Sequence, residues 1–283
     1  MVSRVTGPSA NSSYRILRVS VTGSTNADLL ARARGGEPAG LVLVADHQTT
    51  GRGRLDRRWL APPGTNLLAS ILLRPTRPAE QWFRATMAVA VATVDACRAR
   101  GVVASIKWPN DVLVDSDKLA GILAETDGAG AVVVGIGCNI AWPMAGELAG
   151  ATSLAAHGVA VSPLVFADEI LAGLDDDAPD LLDRYRSRCS TIGREVRVDL
   201  PGGAVVQGRA VGVDDDGLLL VEVASPAADH PAAGHPAAGH PGAGSPAAGS
   251  PAAGSPAADH PGAGSAFVTR RFAVGDVVHA RAG

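Results

Sequence analysis

A chain of 283 residues, 46% hydrophobic and 19% charged, holds enough apolar material for one good core and a small second domain. Its formal net charge of −3 gives no general attraction to nucleic acid, so any contact with a polyanion must come from a local cluster, which argues against a DNA-binding protein. Three cysteines, Cys97, Cys138 and Cys189, form no CxxC pair; with no apolar signal segment and no run of membrane-span length, they predict a cytoplasmic protein without a disulfide framework, structural zinc or a membrane partner.

The first stretch, RILRVSVTGSTNADLLARARGG, passes from strand alternation to a helical pattern, with Ser24 or Thr25 as N-cap and Gly35 and Gly36 as the stop. Ser24, Thr25 and Asn26 stand at the helix mouth. As caps they need no further function; two hydroxyls and an amide there would also suit a neutral ligand head that hydrogen-bonds.

Leu41 to Asp46 and Leu67 to Leu73 read as buried strands. Between them lies GRGRLDRRW, Gly51 to Trp59, where Arg52, Arg54, Arg57 and Arg58 accompany a single acid, Asp56, and Gly51 and Gly53 let the main chain approach a ligand. Guanidinium forks match phosphate or carboxylate oxygens, so the loop is expected to take an anion and, through its own repulsion, to be disordered until it does; a solvated basic loop is the plain alternative.

Pro78 to Arg100 reads as one long scaffold helix closed by Gly101. SIKWPNDVLVDSDKLAGILAET then predicts a strand, a break at Trp108 and Pro109, and two further strands around a turn at Asp115 to Asp117. Strict alternation puts Lys118, Ala120 and Ile122 on one face and Leu119, Gly121 and Leu123 on the other. Lys107, Asn110, Asp111 and Lys118 fall within twelve residues, a set of cations, amide and carboxylate suited to phosphate plus magnesium; a lysine guarding a sheet edge is the alternative for Lys118. Gly135 and Gly137 in AVVVGIGCNI leave a bare backbone face for a flat ring or for close packing. GIGCN lacks the third glycine of a dinucleotide fingerprint, and no GxxxxGK[ST] phosphate loop occurs.

Two helices follow, SPLVFADEILAGL and PDLLDRYRSRC, and after Gly193 short β segments with a hairpin turn at Asp214 to Gly217 predict a small all-β domain. Eight pentapeptides of the form [SH]PxA[GD], Ser225 to Gly264, interrupt it as a low-complexity insertion expected to be extended and mobile. Four of the seven histidines fall there at a spacing that preorganises no metal site.

GSTN, GRGRLDRRW, KWPND, KLAGILAE and GIGCN, in this order and spacing, make the chain resemble biotin protein ligases from about Val21 to Gly193, and GDVVHAR is similar to the last strand of that family's C-terminal barrel. The resemblance implies an α+β fold: a catalytic domain over 1–192 with a mixed β-sheet flanked by helices, of the class II aminoacyl-tRNA synthetase type, then a small SH3-like β-barrel over 193–283, interrupted at 225–264. It implies that biotin and ATP give biotinyl-5′-AMP and pyrophosphate, and that biotin passes to a lysine of a carboxylase's biotin carboxyl carrier domain. By motif, Ser24, Thr25 and Gln48 would hold biotin's ureido head. Gly51, Arg52, Gly53 and Arg54 would form the loop over biotin and its acyl phosphate, with Arg57 and Trp59 behind. Asn26, Arg57, Trp59, Lys107, Asn110, Asp111 and Asn139 would face the nucleotide, Asp111 with Mg2+; Lys118 and Arg54 would be the catalytic pair at the reacting oxygens, Lys118 also touching biotin, and Gly121 would stay bare against biotin.

Asp56 departs from the family's common glycine, and the ligase core starts almost at once, where family repressors carry a DNA-binding domain, so no DNA partner is expected. A monomer or weak homodimer is expected. The rivals are a lipoate or octanoate ligase of the same fold and a non-catalytic sensor of biotinyl-AMP.

Overall fold

The structure is a computed structural model that describes residues 2–3, 14–55, 57–200, 202–224, 267–273 and 276–279. Asp56 and the pentapeptide insertion with its histidines lie outside the described residues.

The strands up to Cys138 build one mixed sheet. β1 (Val2–Ser3), β2 (Arg15–Thr22), β3 (Leu41–Gln48), β4 (Leu67–Leu73), β5 (Ala104–Lys107), β6 (Asp111–Val114), β7 (Asp117–Thr126) and β8 (Val132–Cys138) lie in the order β1-β2-β3-β4-β8-β7-β6-β5. Only β2 and β3 run parallel among these pairs. The central strands read as unbroken apolar runs because both of their faces are covered. Along β3, Leu41 and Leu43 pack toward α1 (Thr25–Arg34) with Leu29, Leu30 and Leu72, while Val42 and Val44 join the opposite layer under α2 (Phe83–Ala99). Each such buried aliphatic side chain contributes about 1.5 to 3 kcal/mol.

The long helix expected from Pro78 divides: Ala79–Gln81 is a 3-10 turn, Trp82 is the N-cap, and Gly101 follows the helix at φ 81°. α3 (Pro163–Ala172) is capped by Ser162, whose hydroxyl accepts from the Val165 N–H at 3.3 Å, and α4 (Leu181–Arg188) follows. Ser24 occupies the N-cap position of α1, but its side chain makes no capping bond.

β9 (Glu195–Asp199), β10 (Val205–Val213), β11 (Leu219–Ala224), β12 (Phe267–Phe272) and β13 (Asp276–His279) form a separate antiparallel sheet in the order β12-β11-β10-β9-β13. Among the described residues β12 and β13 form the two ends of this strand order. The expected hairpin turn joins β10 to β11, with Asp214 Oδ1 accepting from the Asp216 and Leu218 N–H groups. This sheet is bolted to the first one at the KWPND segment: Trp108 donates its indole N–H to the Gly217 carbonyl and its backbone N–H to Thr191 Oγ1, both at 3.0 Å, and Thr191 also meets His279 Nε2 at 3.1 Å.

β7 corrects the simple alternation. Leu113 pairs with Lys118 and Val112 with Ala120, so Leu119 is an extra residue on β7. A side chain built at Gly121 would therefore meet Lys118 Cε and Nζ, both at 3.1 Å, and the two positions share a face that strict alternation assigned to opposite ones. β7 lies between β8 and β6, so Lys118 does not guard a sheet edge.

Candidate functional site

A cavity of about 360 Å3 opens over β4, β7 and β8, roofed by the arginine loop. Its floor is polar and neutral at one end. Gln48, at the end of β3, brings its Oε1 to the Thr25 N–H at 2.7 Å and the Thr25 hydroxyl at 3.0 Å, so the start of α1 is fastened to the sheet by a side chain that also lines the cavity. Buried Ser24 stands beside them.

The arginine loop is a hairpin. Arg52 and Arg58 form a bridge, Gly53 N–H donates to the Arg57 carbonyl at 2.6 Å, and Trp59 N–H donates to the Gly51 carbonyl at 3.0 Å. A Cβ on Gly51 would stand 2.6 Å from the Trp59 carbonyl oxygen, so this glycine permits the neck of the hairpin; it borders the hollow behind the loop and does not line the main cavity. The repulsion that predicts disorder is offset by partners within the protein: Arg52 donates to Glu125 Oε2 at 3.0 Å and Arg54 to Asn110 Oδ1 at 3.1 Å. Arg57 also lines the cavity.

Under the loop, Lys118 Nζ is 2.7 Å from Asp111 Oδ1 and 5.6 Å from the centre of the Trp59 ring. That ring lies over the bare strands: a Cβ at Gly137 would collide with it, one at Gly121 would crowd its edge at 3.1 Å, and its buried Nε1 has no hydrogen-bond partner among the described residues. The backbone left open by Gly137 thus does take a flat ring, the protein's own indole. Gly135 is filled differently, by the Asn26 amide. Among the described lining residues five cations, Arg52, Arg54, Arg57, Arg58 and Lys118, face one carboxylate, Asp111, so an acidic protein carries a locally cationic chamber.

The sequence-derived set comes together here with exceptions. Lys107 does not line the cavity; β5 runs along segment 189–190, and His279 is pushed down to about 4 by burial first and then by the charges of Lys107 and Arg194. Asn26 has every amide atom engaged, with Ser70, Leu123 and Glu125, and shares the Glu125 oxygen with Arg52. Asn139 is buried and acts as a clamp: it donates to the Thr152 and Lys118 carbonyls at 2.9 and 3.3 Å and accepts from Asn66 at 3.1 Å, tying segment 150–152 to β7.

Two features escaped the sequence reading. Segment 142–151 closes the far end of the cavity with Trp142, Leu148 and Gly150; exposed Met144 and Leu148 in a glycine-bearing stretch after GIGCN were the available signal. Ser70 and Glu125 carry no local signal, since one reads as a core serine and the other as a solvated strand end.

For a metal, the donor set is thin: no cluster of three or more His, Cys, Asp or Glu occurs among the described residues. Mg2+ is commonly held by one or two carboxylates together with substrate phosphates, and Asp111 beside a cationic chamber fits that mode.

A model of the biotin/lipoate A/B protein ligase family matches residues 20–140, and a model of the biotin protein ligase C-terminal domain matches residues 191–234. The chain is 41% identical over 229 residues to the biotin-(acetyl-CoA-carboxylase) ligase of Mycobacterium tuberculosis, covering 76% of this chain and 86% of that protein. It is 38% identical over 221 residues to the enzyme of the same name from Paracoccus denitrificans, covering 71% and 91% respectively. Its fold is similar to a biotin protein ligase from Aquifex aeolicus solved in complex with biotin and ATP, with a TM-score of 0.63, 27% identity, and coverage of 73% of this chain and 90% of that one. The chain belongs to the biotin protein ligase family.

Proposed function

We propose that this chain activates biotin with ATP as biotinyl-5′-AMP, releasing pyrophosphate, and then transfers biotin to a lysine of a carboxylase's biotin carboxyl carrier domain. The observation that carries this reading is a cavity neutral and hydrogen-bonding at one end and cationic at the other, in a chain 41% identical to a ligase of that name. The neutral end, Ser24, Thr25 and Gln48, suits a ureido head. Gly121 removes bulk from the floor, and the cationic end suits a carboxylate meeting a triphosphate.

Attack of a carboxylate on the α-phosphorus brings two anions together, and fixed cations aimed at the developing charge lower that barrier. Lys118 and Arg54 are placed for this, and Asn110 holds Arg54 by its side-chain oxygen. Asp111 would hold Mg2+, which when bound supplies charge neutralisation on the phosphates. The hairpin from Gly51 to Trp59, closed over the chamber, would shield the mixed anhydride from water. For the second step the acyl group is already activated, and what remains is to present the carrier lysine. No helix among the described residues is long and apolar enough to cross a membrane, and the three cysteines are buried and unpaired.

The test is incubation of purified protein with ATP, magnesium and either biotin or lipoate, measuring pyrophosphate release with and without a biotin carrier domain. Release with biotin and mass gained by the carrier lysine is expected. Release with lipoate alone would assign the sister activity, and biotin binding without release would assign a sensor.

A further inference from the structure

Glu125 lies at the end of β7, outside the main cavity, in the hollow between the arginine loop and the sheet. Its side chain is 23% exposed, and one oxygen, Oε2, accepts from two donors, Asn26 Nδ2 at 2.8 Å and Arg52 NH2 at 3.0 Å. The two donors come from different parts of the site: Asn26 from the mouth of α1, Arg52 from the hairpin. Behind Asn26 the bonds continue, since Ser70 Oγ stands 2.6 Å from both Asn26 Oδ1 and Thr25 Oγ1, and Thr25 meets Gln48. A continuous polar chain thus runs from Gln48 at the neutral end of the cavity through Thr25, Ser70, Asn26 and Glu125 to Arg52 in the roof.

Most of this chain is buried. Ser70, Thr25 and Asn26 are 0, 3 and 5% exposed, so each loses heavily if its partner leaves. Its hydroxyl protons are also short by one: Ser70 and Thr25 offer two, for the three contacts Ser70–Asn26, Ser70–Thr25 and Thr25–Gln48. One of these three contacts therefore goes without a proton, and Thr25 and Ser70 are the two hydroxyls between which it is shared.

We propose that Glu125 is a positioning residue that fastens the arginine hairpin to the head-group end of the cavity by holding Arg52 and Asn26 on one oxygen. The proposal deepens the ligase reading and rests on it for the identity of the retained intermediate, while the fastening itself is a property of the protein alone. Glu125 touches no reactant in this account. It acts through Arg52, and its charge matters because the bond to a guanidinium is charge-assisted.

The test has two arms. In the protein alone, amide hydrogen exchange of residues 51–59 is measured for the wild type, Glu125→Gln, Arg52→Ala and the double variant. Glu125→Gln keeps shape and one acceptor but removes charge, and the hairpin is expected to exchange about fivefold faster, the factor an ion pair of this exposure contributes. In the Arg52→Ala background the same substitution is expected to add nothing. Unchanged exchange in the single variant, or additive effects in the double, overturns the fastening whatever the enzyme's substrate. The second arm measures dissociation of biotinyl-AMP formed on the enzyme. Glu125→Gln is expected to accelerate loss by about the same factor while lowering kcat for pyrophosphate release less. A fall in kcat with unaltered dissociation overturns the positioning role, and failure of the wild type to form the adenylate removes the ligase reading while leaving the first arm standing.

Discussion

Two glycines that face the cavity should respond to the same added methyl group in opposite ways. At Gly135 a Cβ would fall on the Asn26 amide, which is 5% exposed and pinned by Ser70, Leu123 and Glu125. The amide cannot yield without breaking at least one of these bonds. Overpacking costs about 1 to 3 kcal/mol and a buried lost hydrogen bond about as much again, against less than about 1 kcal/mol gained from restricting the unfolded chain. Gly135→Ala should therefore destabilise by about 2 to 4 kcal/mol, which at a urea slope of about 2 kcal/mol per M lowers the unfolding midpoint by about 1 to 2 M. At Gly121 the neighbours are the tip of Lys118 and the edge of Trp59, each at 3.1 Å, and side-chain ends of this kind can move. Gly121→Ala should shift the midpoint by less than about 0.5 M and instead lower the rate of pyrophosphate release, because the added methyl group crowds the Lys118 side chain over the cavity floor. Equilibrium urea unfolding and a pyrophosphate assay on both variants check the pair. Equal midpoints for the two variants, or Gly121→Ala with full activity, would refute the assignment of Asn26 to the frame and Lys118 to the reacting centre.

Lys118→Ala should reduce adenylate formation by a factor of about 100 or more while changing ATP binding far less, as removal of a donor aimed at developing charge does; single-turnover rates and nucleotide titration separate the two. Arg54→Gly should loosen retention of the adenylate, and an unaltered dissociation rate would show that the hairpin is not a lid. His279, held down to about 4 from 6.5 by burial and by Lys107 and Arg194, binds its proton more readily in the unfolded chain. Its contribution is therefore complete above pH 6.5 and is lost as pH falls toward 4, by up to about 2 kcal/mol after allowance for solvent screening, and His279→Gln should flatten thermal stability across that window.

What was legible in the sequence was local. The arginine loop announces itself by charge density and glycines, the Ser24 to Asn26 mouth by capping chemistry, and Asn110 with Asp111 by a proline break between strands. What escaped was set by pairing across the fold. Glu125 reads as a solvated strand end because its partners, Arg52 and Asn26, lie 73 and 99 residues away. Lys118 and Gly121 fell on opposite faces in the alternation because one extra residue on β7 has no signature in KLAGILAE. Lys107 was grouped with the site by spacing and by its place in KWPND, whereas β5 ends the strand order and the Lys107 charge bears on His279 of the second sheet.

The partners of the cations bear on how the chamber would work. Two like unit charges about 4 Å apart repel by about 4 kcal/mol at an effective dielectric of 20, so a loop with four arginines holds its shape only if strands answer the charges. Glu125 answers Arg52 from outside the cavity and would remain when an anion enters. Asp111 answers Lys118 from inside it, and a reactant that arrives with its own divalent cation gives Asp111 a better partner than an ammonium. On the ligase reading, the ammonium is then turned from Asp111 to the phosphate and carboxylate oxygens at the step where negative charge accumulates, without any move of the strands that carry either residue. Asp111→Asn separates these roles: it should raise the magnesium concentration needed for half-maximal pyrophosphate release, and an unshifted magnesium dependence would leave Asp111 as a partner of Lys118 alone.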